Sequence, residues 1–329
     1  MLRLITAMSL VFASFVAQAE ETQSTTTSTT NVSDVVNKDE KKEDIDQEIT
    51  NARMRATLGA KSAFSFKSSL GYNGGSLEKP FDKIRPNYRA SANAEALTSI
   101  SGSVGVNYRM TKRDNLSLGV GLVMSNPFHG DLTRDKFEDP RKAQNGKTKN
   151  RLDVSNPSLS WSRGYKAFGI QMISSAGYSH YTTEDATELY NATGNFSLGQ
   201  TVLADLGTSN LSAGVSLSVD ATAYNGKMED IYYQIGYQQD AYGFGAFPFA
   251  EYTFTDKLSF RTVFGYFQYV HYMKDNYNDE KTVRLTPYQS VGIGISVTRD
   301  IYLYPNIQFV PEDARPERTN VALSTNINL

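Results

Sequence analysis

The sequence predicts an all-β fold: an antiparallel transmembrane β-barrel of about twelve strands. Three observations carry this. Apolar and polar residues alternate with a period of two. The alternating runs are about ten residues long, roughly what a tilted strand needs to cross a bilayer. Short turns also take turns with long loops along the chain, as barrel connections do. Residues 99–124 state the pattern. Gly102, Val104, Val106 and Tyr108 share one parity, with Ser101, Ser103, Gly105, Asn107 and Arg109 on the other. After the polar turn 111–114, Leu116, Leu118, Val120, Leu122 and Met124 face Ser117, Gly119 and Gly121. Successive strand side chains point to opposite faces, so this is a hairpin with one greasy and one polar side.

Residues 1–19 read as a secretory signal peptide: Arg3, an apolar stretch from Leu4 to Val16, and Ala17-Gln18-Ala19 before Glu20. Residues 20–58 are a polar linker, disordered or carrying a short helix. Thr22 to Thr30 is too polar to bury a core, and Ile45 and Ile49 lie one helical turn apart in a charged stretch. The direct expectation is a periplasmic tail with a solvated helix. A plug inside the barrel, or a helix meeting a periplasmic partner, is the alternative.

Residues 59–329 are the barrel. Phe64, Phe66, Leu70 and Tyr72 open it, and Gly74-Gly75 and Pro80 break that strand into a loop. A long polar loop, 125–151, follows the hairpin described above. The next hairpin carries Leu159 and Trp161, a turn read at Gly164-Tyr165, then Phe168, Ile170 and Met172. Alternation resumes at Phe196–Val202, Leu211–Ala221, Ala246–Phe254, Leu258–Tyr272, Val291–Val297 and Ile301–Val310. Val321, Leu323, Ile327 and Leu329 make a last strand. The short turns fall at 111–114, 164–166, 205–208, 255–257 and 298–300. The long loops fall at 73–87, 125–151, 182–188, 224–244, 273–283 and 311–318. Separate pairing of 231–239 and part of 87–96 would raise twelve strands to fourteen.

Composition excludes several classes. With no cysteine there is neither a disulfide scaffold nor a cysteine zinc site. A formal charge of −2 gives no field suited to nucleic acid. Mean hydropathy is −0.42, which does not exclude a membrane protein, because alternating strands average their hydropathy away. A secreted β-sandwich shows the same alternation, but its strands are nearer five or six residues. Here aromatic residues also gather at strand ends (Tyr72, Tyr108, Trp161, Phe168, Tyr178, Tyr190, Tyr272, Tyr288), where a membrane interface holds amphipathic rings.

With its leader, long alternating strands, loop rhythm and terminal strand, the chain resembles the bacterial outer-membrane β-barrel proteins, porin-like and of the major outer membrane protein type. The likeness is architectural and covers residues 59–329. It implies a Gram-negative outer membrane as location, lipid as surroundings, and assembly machinery that reads the C-terminal strand, as a monomer or homo-oligomer. Such strands commonly end in Phe or Trp; here Leu329 stands in that place.

If the greasy parity meets lipid, the bore is lined by Ser and Gly, which leave room for water or an inserted segment. The expected function is passive diffusion of small hydrophilic solutes. The ionisable lumen-lining candidates are Lys67, Arg109, Asp220, Glu251 and Arg261, each readable also as a strut within the wall. In the loop 125–151, Arg134, Lys136, Arg141 and Lys142 are constriction candidates, if that loop folds inward rather than over the mouth. The alternative function is a structural or surface-interaction barrel with a closed lumen. An enzyme needs a histidine base beside a nucleophile. His129, His180 and His271 offer no matching motif, so none is expected, nor any cofactor or metal. Asp275, Asn276, Asn278, Asp279 and Glu280 read as an acidic surface loop, because Tyr277 holds a position a calcium loop gives to Asp or Asn.

Overall fold

The computed structural model describes residues 45–86, 96–129, 152–207 and 209–329. The expected leader, the Thr-rich tract and all four constriction candidates (Arg134, Lys136, Arg141 and Lys142) lie outside the described residues.

Twelve antiparallel strands close into a barrel. They are β1 (Phe64–Ser76), β2 (Ser99–Arg109), β3 (Asp114–Ser125), β4 (Leu152–Ala167), β5 (Ile170–His180) and β6 (Ala192–Asp205). There follow β7 (Leu211–Tyr224), β8 (Asp240–Thr255), β9 (Leu258–Gly265 and Phe267–Tyr272), β10 (Lys281–Arg284 and Tyr288–Thr298), β11 (Ile301–Phe309) and β12 (Asn320–Asn328). Neighbours in sequence pair, and the last strand returns to the first: Lys67 lies opposite Asn328 and Tyr72 opposite Leu323. Every strand then has two partners, which lipid demands of a spanning sheet.

β9 and β10 are each interrupted once, for identifiable reasons. Pro287 has no N–H to give to the ladder. At the facing break, the Tyr266 carbonyl accepts from Arg284 Nε at 3.0 Å, and the Gly265 carbonyl accepts from Gln268 Nε2 at 3.0 Å. β4 carries a bulge at Asn156-Pro157, where the register against β3 slips between Gly119 and Gly121. Asn156 has φ 51° there and bonds the backbone N–H of Thr182 at 2.9 Å.

The parities fall as the alternation predicts. Phe64, Phe66, Val106, Leu118, Phe196 and Ile293 are exposed on the outer face. Aromatic pairs mark its rims. Phe64 and Tyr108 lie 5.0 Å apart at the short-turn end; Tyr178–Phe196 (4.7 Å) and Phe244–Tyr269 (4.9 Å) lie toward the long loops.

Four expectations are corrected. The turn read at Gly164-Tyr165 is strand; β4 runs on to Ala167 and turns at Phe168-Gly169, both at positive φ (52° and 80°). Phe168 is thus a turn residue. Tyr288 points inward over Gly265, not outward into a girdle. The alternative of fourteen strands needed 231–239 to pair, but residues 230–234 form a helical turn; residues 87–95 lie outside the described residues. The fourth is the largest. Residues 45–60 are not a solvated tail: α1 (Ile45–Glu48) and α2 (Ala52–Leu58) pack inside the barrel.

The outer face predicts its own test. Arg in place of Leu118, 65% exposed in mid-strand, should cost about 2–4 kcal/mol in a bilayer. Denaturant unfolding in vesicles would read this; an unchanged midpoint would remove Leu118 from the lipid surface.

Candidate functional site: the plugged lumen

A twelve-stranded barrel lined by Ser and Gly is too wide for its own side chains to fill. Residues 45–60 supply the missing volume in the half near the short turns. Ile45, Ile49, Met54 and Leu58 form one apolar stripe, and they meet the inward-facing Ile173, Leu203 and Phe249. Ala56 packs against Tyr302 and Tyr304 on the opposite wall. Ile49 is fully buried. Burying a side chain of that size contributes roughly 1.5–3 kcal/mol.

Polar groups fix the segment in register. Asn51 caps α2, its Oδ1 accepting from the Met54 N–H at 3.1 Å. Gln171 Oε1 accepts from the backbone N–H groups of Thr50 and Asn51 at 2.9 and 3.0 Å, and its Nε2 donates to Thr50 Oγ1 at 2.9 Å. Asn328 on β12 donates to the Ala56 carbonyl. At the end, Arg299 grips Asp46 with Nε and Nη2 at 2.8–3.0 Å, and Lys61 adds a contact at 2.9 Å. Arg113 pairs with Glu48 at 2.6 Å.

The wall is shaped to admit the segment. A Cβ added at Gly164 would collide with Leu58 Cδ1. This explains the corrected turn: Gly164 is there for close approach to a helix, and glycine signals turn and close approach alike.

The candidate charges are placed as follows. Glu251 and Arg261 face each other across β8 and β9, Nη1 to Oε2 at 3.0 Å, with both side chains 3% exposed. Asn51 also donates to Glu251 Oε2 at 3.2 Å. The Arg261 guanidinium lies 3.9 Å from the centre of the Phe249 ring. Lys67 faces inward and donates to Ser117 Oγ at 3.2 Å. Arg109 is further toward the short turns and donates to the carbonyls of Ala60, Thr111 and Lys112; it fastens the chain where the plug ends. Asp220 is apart from the others, at the long-loop end, near Asp240, Tyr224 and Thr222. The sequence reading missed Arg53, which the plug carries into the bore. No periodicity of the strands could have announced it.

Cavities lie on both sides of the plug. One of about 470 Å³ on the short-turn side includes Asn51, Arg55, Asp205 and Lys257. One of about 220 Å³ in mid-barrel includes Arg53, Lys67, Ser175, Thr201 and Arg261. A third of about 330 Å³ lies beside Asp220 and Asp240.

The histidines stand apart from the bore. His129 contacts the Phe81 carbonyl in a loop. His271 is on the outer parity, stacked on Tyr242 at 4.6 Å, between Thr282 Oγ1 (3.0 Å) and Glu280 (3.2 Å). The Glu280 side chain is 63% exposed, so water screens it and it orients the ring weakly. Among the described residues no group of His, Asp or Glu is arranged to hold a metal. Asp275 spends its carboxylate on its own loop, accepting from the N–H groups of Tyr277 and Asn278 at 2.7 Å.

No family model matches this chain, and no curated protein matches its sequence. Solved structures do match its fold. An outer membrane channel from Pseudomonas putida F1 aligns with TM-score 0.50 at 13% identity, over 82% of this chain and 97% of that one. The NanC porin aligns with TM-score 0.40 at 9% identity, over 80% and 100%. Outer membrane phospholipase A from Escherichia coli aligns with TM-score 0.38 at 13% identity, over 85% and 99%. The chain therefore shares its fold, a closed antiparallel β-barrel, with the outer membrane channel from Pseudomonas putida F1.

The plug seat yields two tests. Burial works against ionisation of Asp46, but hydrogen bonds from Arg299 and Lys61 outweigh it and hold the carboxyl below its ordinary value. A depressed folded pKa stabilises fully above the unfolded value, about 4, and that contribution is lost as pH falls through the folded value. Amide exchange of residues 45–58 should therefore quicken below about pH 4, relative to barrel strands, and Asp46→Asn should flatten that dependence. Gly164→Leu should expel Leu58 and open Arg53 and Arg55 to trypsin; unchanged digestion would contradict the packing.

Proposed function

We propose that the protein is an outer-membrane channel passing small hydrophilic solutes by passive diffusion, and that residues 45–60 restrict its bore. The observation that carries this reading is a lumen with cavities of about 220 and 470 Å³ on both sides of the plug, in which hydroxyl, amide and charged side chains stand beside apolar ones. Selection would follow size and the charges on the wall. Glu251 and Arg261 would then act as a buried strut that seats the plug through Asn51, while Lys67 remains turned toward the space.

The leader expected at residues 1–19 and the alternating lipid face support export to the outer membrane and a hydrocarbon environment. The C-terminal strand, closing against β1, is where assembly machinery would engage. The lumen geometry supports a non-enzymatic role.

A second reading has its own observation. The plug is fastened by ion pairs, a cap and an apolar stripe, so the barrel would equally serve as a closed structural or surface-interaction protein. Planar-bilayer conductance of the purified protein separates the two. The channel reading expects a small current in the full chain, raised by Arg299→Gln, by Gly164→Leu and by removal of residues 20–58. An equal current in all forms would mean that the plug obstructs nothing. No current in any form would overturn the channel and leave the closed barrel.

A further inference from the structure

The mid-barrel cavity has a one-sided charge. Its ionisable lining residues are Arg53 from the plug, Lys67 from β1 and Arg261 from β9, with no carboxylate among them. Glu251 offsets one of the three, through Arg261 Nη1. Lys67 has only the Ser117 hydroxyl as a described hydrogen-bond partner, and no side-chain partner is described for Arg53. Arg261 is 2% exposed, and its Nε has no hydrogen-bond partner among the described residues. Its guanidinium carbon lies over the Phe249 ring, 3.9 Å from the centre. A buried donor without a partner costs more than one that is used. Like charges converging in a low-dielectric wall also repel one another unless an anion joins them. Ser162, Ser175, Thr201 and Ser216 add hydroxyls to the lining, beside the apolar Met54 and Ile173.

We infer that this cavity binds a small multivalent oxyanion, a di- or tricarboxylate or a phosphate, between Arg53, Lys67 and Arg261. Arginine forks match the planar oxygen pairs of such groups, and lysine supplies a further point charge. The site exists only with the plug seated, because Arg53 belongs to the plug. This deepens the channel reading by naming its solute class, but binding itself does not require conduction.

Calorimetric titration of the detergent-solubilised full chain with citrate, inorganic phosphate and glucose tests it. Citrate or phosphate should bind, more weakly as salt rises, and glucose should not. Arg53→Gln and Lys67→Gln should each weaken binding about tenfold, the loss of one charge-assisted hydrogen bond, and Arg53→Lys should restore part of it. Salt dependence in the unaltered protein tests the idea even where a variant does not fold. Binding of neither anion, or equal binding by folded Arg53→Gln and Lys67→Gln, would overturn the site. Bilayer current with no anion binding would remove this inference and spare the channel. Anion binding with no current would do the reverse.

Discussion

The β1–β12 seam is the constraint on which everything else rests. Hydrocarbon offers no partner to a backbone N–H or C=O, so a sheet in a bilayer must close or fail. Here strands far apart in sequence meet with Lys67 opposite Asn328 and Tyr72 opposite Leu323. Closure sets the circumference at twelve strands. That circumference, with Ser and Gly on the inner parity, sets a bore wider than the wall can fill. The interior segment answers that geometric fact.

The segment and the wall divide the work of fit between them. Leu58 occupies space that the wall leaves open by having glycine at 164. Gln171 presents its amide to two successive backbone N–H groups, so a shift by one residue would strand both. The arginine at 299 holds Asp46 through two nitrogens, a planar match that a lysine would not reproduce. Apolar burial keeps the segment inside; these polar contacts decide which residue sits where.

Much of the barrel was legible in the chain because its surroundings are uniform along each face. Lipid asks the same of Leu116, Leu118 and Val120, and so the alternation is clean. The interior is not uniform, and there the reading faltered. Residues 34–54 look like a solvated run because Asp46, Glu48 and Arg53 are charged; the partners of the two acids, Arg299 and Arg113, lie far along the sequence and have no local signature. Gly164 reads as a turn because composition does not distinguish a glycine that bends the chain from one that makes room. Phe168 at positive φ is the counterpart: a bulky residue where a turn normally shows glycine or asparagine. The candidate lumen charges were chosen by parity, and parity cannot tell which of them face space and which, like Glu251, are taken up by a neighbour.

Only five residues, 59–63, separate α2 from the first strand. Five residues span roughly 17 Å at full extension, so α2 stays tethered to the barrel wall at one end. It cannot diffuse away when its contacts break; its motion is confined to a swing about Gly59 and the residues after it. Reseating would then be an intramolecular event at high effective concentration, and a plug that let go would remain within reach of its seat.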